Sequence, residues 1–138
     1  MKLMYEAEAK AQGGRNGHVV SSDNVLDFEV RVPKSMGGEG GAYTNPEQLF
    51  AAGYAACFDS ALNFIAQKQK VKVENTEVNA KVGIGQLSNG GFGLAVELLV
   101  KIPNLDKEQA QALLEAAHKA CPYSNAIRGN VDVKLELA

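Results

Sequence analysis

An α+β fold, with antiparallel strands packed around a buried central helix and a second, amphipathic helix, is what the sequence predicts. Three patterns point to it. Residues 26–32 alternate apolar and polar side chains, the mark of a strand with one face buried. Residues 49–58 are apolar nearly all round, as in a helix covered on most sides. Residues 107–120 set Ala110, Leu113, Leu114 and Ala117 on one helical face and polar side chains on the other.

Along the chain, residues 2–32 read as strands broken by turns at Gly13-Gly14-Arg15-Asn16-Gly17 and Ser22-Asp23-Asn24. Pro33 ends the last of these strands, and a glycine-rich stretch leads to Thr44. The central helix has the strongest start signal. Asn45 is a good N-cap, Pro46 suits the first helical position, and Gln48 completes a capping-box pattern. Residues 75–87 and 92–102 read as long strands, joined antiparallel by the turn Ser88-Asn89-Gly90-Gly91. Asp106 caps the second helix, Pro122 directly after Cys121 stops it, and residues 131–137 close the chain as a strand. With no linker, repeat or low-complexity stretch, residues 1–138 are expected to form one domain. A chain this short hardly wraps an all-apolar helix alone, so a second subunit is the economical covering.

Composition excludes several classes of function. A net charge of -2 with scattered basic residues gives no electrostatic case for nucleic acid or an anionic membrane. The start, Met1-Lys2-Leu3-Met4-Tyr5-Glu6, has no signal-peptide core, and no segment is read as approaching the ~20 apolar residues of a membrane span. A cytoplasmic protein is expected. Two cysteines in that compartment are not expected to form a structural disulfide, and as buried thiols they would be plain small hydrophobes. Cys57, Cys121, His18 and His118 show no short ligand pair, which argues against a metal site.

The functional alternative rests on thiolate chemistry. Only the thiolate is a strong nucleophile, and a free thiol with pKa about 8.5 is mostly protonated near neutrality. Cys57 lies well past Asn45, beyond the first turn within which a helix dipole acts. A cationic side chain must therefore activate it. Arg15 is the candidate, in a turn whose glycines allow close backbone approach; the plain alternative is a solvated turn arginine. Once oxidised to a sulfenic acid, Cys57 would condense with a nearby thiol. Cys121 suits that step, at a helix end where Pro122 leaves the backbone adjustable.

The segments Gly13-Gly14-Arg15-Asn16-Gly17, residues 44–58 from Thr44-Asn45-Pro46-Glu47-Gln48 through Cys57-Phe58, and residues 121–130 from Cys121-Pro122-Tyr123-Ser124 onward resemble those of the organic hydroperoxide resistance (Ohr) proteins of the OsmC/Ohr superfamily. The likeness spans essentially the whole chain. It implies that Cys57 is the peroxidatic cysteine and Cys121 the resolving one, that Arg15 stabilises the thiolate, and that Glu47 orients Arg15 through a salt bridge. It also implies alkyl and fatty-acid hydroperoxides as substrates. It further implies no bound cofactor, with dihydrolipoamide or a lipoylated protein as external reductant. The implied fold is an intertwined homodimer with long central helices and sheets on either side.

Two rival classes stand beside this reading. One is a cysteine hydrolase or acyl transferase using His18 or His118 as base; the other is a binding module for apolar ligands. Helix geometry adds one constraint of its own. Glu47 and Cys57 are ten residues apart, about 15 Å along a straight helix at 1.5 Å per residue. If both serve one thiolate, the simplest arrangement crosses two antiparallel helices, so that Glu47 of one subunit meets Cys57 of the other.

Overall fold

In the computed structural model, which describes residues 1–138, the chain falls into two units, Met1–Leu49 and Phe50–Ala138. The first is organised by Gly17. A Cβ there would lie 1.8 Å from the Gln12 carbonyl oxygen, so only glycine lets strands β1 (Ala9–Gln12) and β2 (Gly17–Ser21) meet across so tight a turn. Between them Gly14–Asn16 forms a 3-10 turn, entered with Gly13 at φ 77°. In the next turn the Asp23 carboxylate accepts from the Ser21 hydroxyl at 2.6 Å and the Val25 N–H at 3.0 Å. That turn leads into β3 (Asp27–Val30), completing an antiparallel sheet of order β1-β2-β3.

Two boundaries differ from the sequence reading. Residues 2–8 are not a strand: the ladder with β2 ends at Ser21, after which the partner strand turns, and of these residues only Glu8 keeps a bond, accepting from Ser22 N–H at 2.9 Å. The strand expected over 26–32 is only Asp27–Val30, because Thr44 takes over the ladder beyond it. Arg31 N–H donates to the Thr44 carbonyl at 3.1 Å, and Thr44 N–H donates to that of Glu29 at 3.2 Å.

This bridge anchors the entry to helix α1 (Pro46–Lys68). Asn45 caps it as expected, its Oδ1 accepting from Gln48 N–H at 2.8 Å. The Gln48 side chain, however, accepts from the Thr44 hydroxyl at 2.8 Å, so the capping pattern reaches one residue further back than a capping box. Tyr54, Phe58, Ala61, Leu62 and Ala66 are the buried residues of α1. Their spacing of three and four residues makes a single stripe, while Ala52, Ala56 and Phe64 are exposed. The expectation that no segment reaches the length of a membrane span is corrected here. This helix of 23 residues is long and apolar enough to cross a bilayer by length and composition. Its buried stripe nevertheless belongs to a protein core, the cluster shared with the helix and strands that come after it in the chain.

In the second unit, β4 (Glu77–Gln86) and β5 (Phe92–Lys101) pair antiparallel through a turn in which Gly90 takes φ 86°. Val96, Leu98 and Val100 of β5 are buried, alternating with exposed neighbours. Helix α2 (Lys107–Ala120) begins as read: Asp106 accepts from Gln109 N–H at 2.9 Å, and Ala110, Leu113, Leu114 and Ala117 are its buried face. Pro122 does stop α2, but it also starts a short further helix, α3 (Pro122–Ile127), at the first-turn position where a missing N–H costs nothing. The last strand, β6 (Val133–Leu137), pairs parallel with β5 and not antiparallel. The reason is topological: α2 and α3 form a helical crossover between β5 and β6, the connection parallel neighbours require.

Leu114 is fully buried in the shared core, whereas Asp106 makes one surface cap. Leu114→Ala is expected to cost about 2–5 kcal/mol and Asp106→Ala about 1 kcal/mol of stability. Urea melts read both; an Asp106→Ala loss equal to that of Leu114→Ala would contradict this ranking.

Candidate active site

Arg15 is placed by the 3-10 turn and Glu47 by the first turn of α1. A continuous line of hydrogen bonds joins these two positions. Gly17 pairs with Val30, and the backbone on either side of Val30 is bonded to Thr44, three residues before Glu47. The side chains then meet fork to fork, Nη1 donating to Oε2 at 2.8 Å and Nη2 to Oε1 at 2.5 Å. This bidentate form is the strong one, and it fixes the plane of the guanidinium as well as its position. Side-chain exposure is 32% for Arg15 and 13% for Glu47, so water competes little for the carboxylate. The bond from Arg15 holds the Glu47 carboxyl below its ordinary range against the opposing effect of burial. Glu47 in turn raises the Arg15 pKa. Both groups are charged at neutral pH.

The two sulfurs come together in the second unit. Cys57 is half-buried on α1, one turn on from Tyr54, and Cys121 is fully buried between α2 and α3. Both thiols are free, and Cys121 Sγ donates to Cys57 Sγ across 3.8 Å. Burial pushes the Cys57 thiol up, the backbone N–H of Tyr123 on the sulfur pulls it down, and Cys121 pushes it up again, so it stands above its ordinary value. The expectation that Pro122 leaves the Cys121 backbone adjustable is corrected. Cys121 N–H donates to the Ala117 carbonyl at 2.8 Å and its own carbonyl accepts from Asn125 N–H at 2.9 Å, so it is tied to both helices.

Beside the sulfurs runs a line of polar groups that the sequence reading did not connect. The Tyr54 hydroxyl and Ser124 Oγ are 2.7 Å apart, and His118 Nδ1 is 2.9 Å from the same Ser124 oxygen. Tyr54 and Ser124 are both fully buried. Burial and then the nearby Arg128 lower the His118 pKa, so the imidazole is neutral near pH 7. His118 is thus bonded into the polar line through Ser124. Its Nδ1 partner is Ser124, and the partner of His18 is Asp27, so neither bond is the one a hydrolase would need between imidazole and thiol.

An aromatic group frames the same place. Phe50, Tyr54 and Tyr123 stack with ring centroids 5.7 to 6.1 Å apart. Gly53 makes room for this: a Cβ there would come within 2.9 Å of the Tyr123 hydroxyl.

The model of the OsmC-like protein family matches residues 38–136, most of the chain. The organic hydroperoxide resistance protein of Xanthomonas axonopodis pv. citri is 52% identical over 138 residues, covering 99% of this chain and 96% of that protein. The chain belongs to the organic hydroperoxide resistance (Ohr) proteins of the OsmC-like family. Solved structures of Ohr proteins have the same fold. That from Elizabethkingia anophelis, with thiocyanate bound, superposes with a TM-score of 0.96 at 59% identity, covering 100% of this chain and 99% of that one. That from Vibrio cholerae, with captopril in one of its active sites, gives 0.95 at 48% identity over 99% of this chain and 94% of that one.

In this Ohr protein the four residues named from sequence therefore fall into two pairs, Arg15 with Glu47 and Cys57 with Cys121, each within its own unit. Ser124 and Tyr123 were missed as individuals, although both stand in the string that begins at Cys121. The readable signal was a serine and an aromatic just inside a proline-started helix.

Because the folded Glu47 pKa is depressed, the stability from its pair is present above the ordinary value of 4.5 and is lost as the pH falls through the lowered one. Glu47→Gln should be less stable than the parent near neutrality, with the gap narrowing below that ordinary value. Denaturant melts across the acid range check this, and a gap independent of pH would contradict it.

Proposed function

We propose that this chain is a cysteine-based peroxidase that reduces organic hydroperoxides to alcohols in the response to oxidative stress. One observation carries the reading. Two free thiols lie 3.8 Å apart, one half-buried and one sealed in the core, in a chain whose relatives are named for organic hydroperoxide resistance. The Cys57 thiolate attacks one peroxide oxygen, the O–O bond breaks, and the alkoxide leaves as alcohol after taking up a proton. Cys57 becomes a sulfenic acid, and Cys121 displaces its oxygen as water to give the Cys57–Cys121 disulfide. A lipoyl dithiol, free or protein-bound, reduces that disulfide by thiol exchange. The aromatic group of Phe50, Tyr54 and Tyr123 next to Cys57 favours alkyl and fatty-acid peroxides over hydrogen peroxide.

Cys57 needs a cation, since burial and Cys121 both raise its pKa. Arg15 is that cation, and Glu47 aims it. The working form is a homodimer in which Arg15 and Glu47 of one subunit serve Cys57 of the other. Two features support this. The helix α1 is unbroken from Pro46 to Lys68, as the composite arrangement requires. In the first unit Val30 is the one buried apolar side chain, while Leu3, Tyr5, Val25 and Phe28 are exposed, so that sheet lacks a core of its own. The expected compartment is the cytoplasm.

Cys57→Ser should abolish peroxide reduction, because a serine hydroxyl is a far weaker nucleophile. Cys121→Ser should consume about one peroxide per chain and then stall or over-oxidise. Sustained turnover by Cys57→Ser with dihydrolipoamide would overturn the assignment.

The composite site has its own test. Co-refolding inactive Cys57→Ser chains with inactive Glu47→Ala chains should restore part of the activity, since one of the two sites in a mixed dimer is intact. A verified mixed dimer without activity would place Glu47 and Cys57 in the same subunit's site.

A further inference from the structure

Tyr54 and Cys57 stand three residues apart on α1, a spacing at which helical side chains are neighbours, and Cys121 is the N-cap of α3 with Ser124 its third residue, the two positions that meet in a capping box. The two pairs face each other like rungs: Cys57 to Cys121 at 3.8 Å, and Tyr54 to Ser124 at 2.7 Å. From Ser124 the line continues to His118 Nδ1, 2.9 Å away, on a ring that is only half-buried. Cys121, Tyr54 and Ser124 are each 0% exposed. Water therefore reaches neither the Cys121 sulfur nor the hydroxyls beside it. Yet peroxide reduction through two cysteines makes Cys121 lose a proton in every cycle and regain one.

Resting on that peroxidase reading, we infer that Ser124 and His118 carry this proton: His118, acting through the Ser124 hydroxyl, accepts it when Cys121 attacks Cys57 and returns it when the disulfide is reduced. The hydrogen count fits. Neutral His118 accepts at Nδ1 from Ser124, and the Ser124 oxygen accepts from Tyr54, keeping a second lone pair for the Cys121 proton once that S–H swings away from Cys57, to which it donates at rest. As Cys121 Sγ bonds to the sulfenic sulfur of Cys57, the S–O bond breaks and the departing hydroxide takes a proton from solvent to become water. The Cys121 proton passes to Ser124 Oγ while the Ser124 proton passes to His118 Nδ1, and the imidazolium releases a proton to solvent. The only electrons exchanged are the pair that the sulfenic sulfur takes from Cys121. When a dithiol reduces the disulfide by attack at Cys57, Cys121 leaves as a thiolate and the same path runs backwards.

His118 never touches sulfur. It is a positioning residue that acts through Ser124. The groups facing it are the Ser124 hydroxyl, the Phe58 ring, the nearby Arg128, whose Nη2 donates to the His118 carbonyl at 2.7 Å, and beyond Ser124 the Tyr54 phenol and Cys121. Arg128 is the one permanent cation among them, and it favours the neutral ring that the relay needs as acceptor.

His118→Asn tests the relay, because its amide stands where Nδ1 does and keeps a bond to Ser124 but cannot ionise. Without reductant, the burst of one peroxide per chain should proceed at the parent rate. Disulfide formation, followed by timed alkylation and mass, should slow by about 100-fold, the usual scale of general acid–base assistance. The parent rate of that step should fall as acid protonates His118, and His118→Asn should lose that acid limb. Ser124→Ala should slow the same step and also lose its acid limb, a change in pH profile that a shift of helix register alone would not produce. Parental disulfide kinetics and pH profile in both variants would overturn the relay alone. A parent that forms no Cys57–Cys121 disulfide would overturn the two-cysteine reading and the relay with it.

Discussion

The packing of α1 against α3 is the constraint on which the chemistry depends. Two sulfurs on different helices stay within 3.8 Å only if those helices cannot slide past each other. Two contacts prevent sliding, and a further pair of bonds holds Cys121 itself. The Tyr54–Ser124 bond fixes the register inside the core, where an unpaired hydroxyl would cost about 1–3 kcal/mol. Tyr123 seats on Gly53, a fit that one added methyl group would disturb. Cys121 itself is bonded through its backbone to α2 on one side and α3 on the other. The second sheet and α2 supply the apolar surround, with Leu98, Val100, Leu113 and Leu114 all at most 2% exposed.

A different logic governs Arg15. Nothing buries this arginine deeply; its orientation comes from the carboxylate fork of Glu47. That carboxylate is located by a helix start that Asn45 caps and Thr44 ties to β3. The backbone under Arg15 is held by the tight contact of Gly17 on Gln12. Lysine at position 15 would keep the charge without the planar fork, and so without the orientation.

Much of this was legible in the sequence because local chemistry dictated it. Asn45, Asp106 and the face Ala110, Leu113, Leu114, Ala117 are decided within one or two helical turns, and the Ser88–Gly91 turn within four residues. Arg15, Glu47, Cys57 and Cys121 were recognisable as candidates from their surrounding motifs. What escaped was set by contacts between distant segments. The parallel pairing of β6 depends on the crossover that precedes it, and the end of β3 on a competitor, Thr44, well over ten residues away. Pro122 reads locally as a stop; that it also starts α3 comes from the bonds the chain makes afterwards. Ser124 is an ordinary residue in sequence and gains meaning only from Tyr54, seventy positions earlier.

The double anchoring of Cys121 has a mechanical consequence. A disulfide needs its sulfurs about 2.05 Å apart, so closing the present gap takes an approach of under 2 Å. With the Cys121 backbone bonded into two helices, that approach falls to rotation of the two side chains and a small give in α1 around Cys57. A resolving cysteine held far from its partner would have to unfold locally before each reaction; this scaffold keeps both sulfurs within reach from the start. On the two-cysteine reading proposed above, oxidised and reduced forms would thus be nearly the same shape, with little reorganisation between the two halves of the cycle.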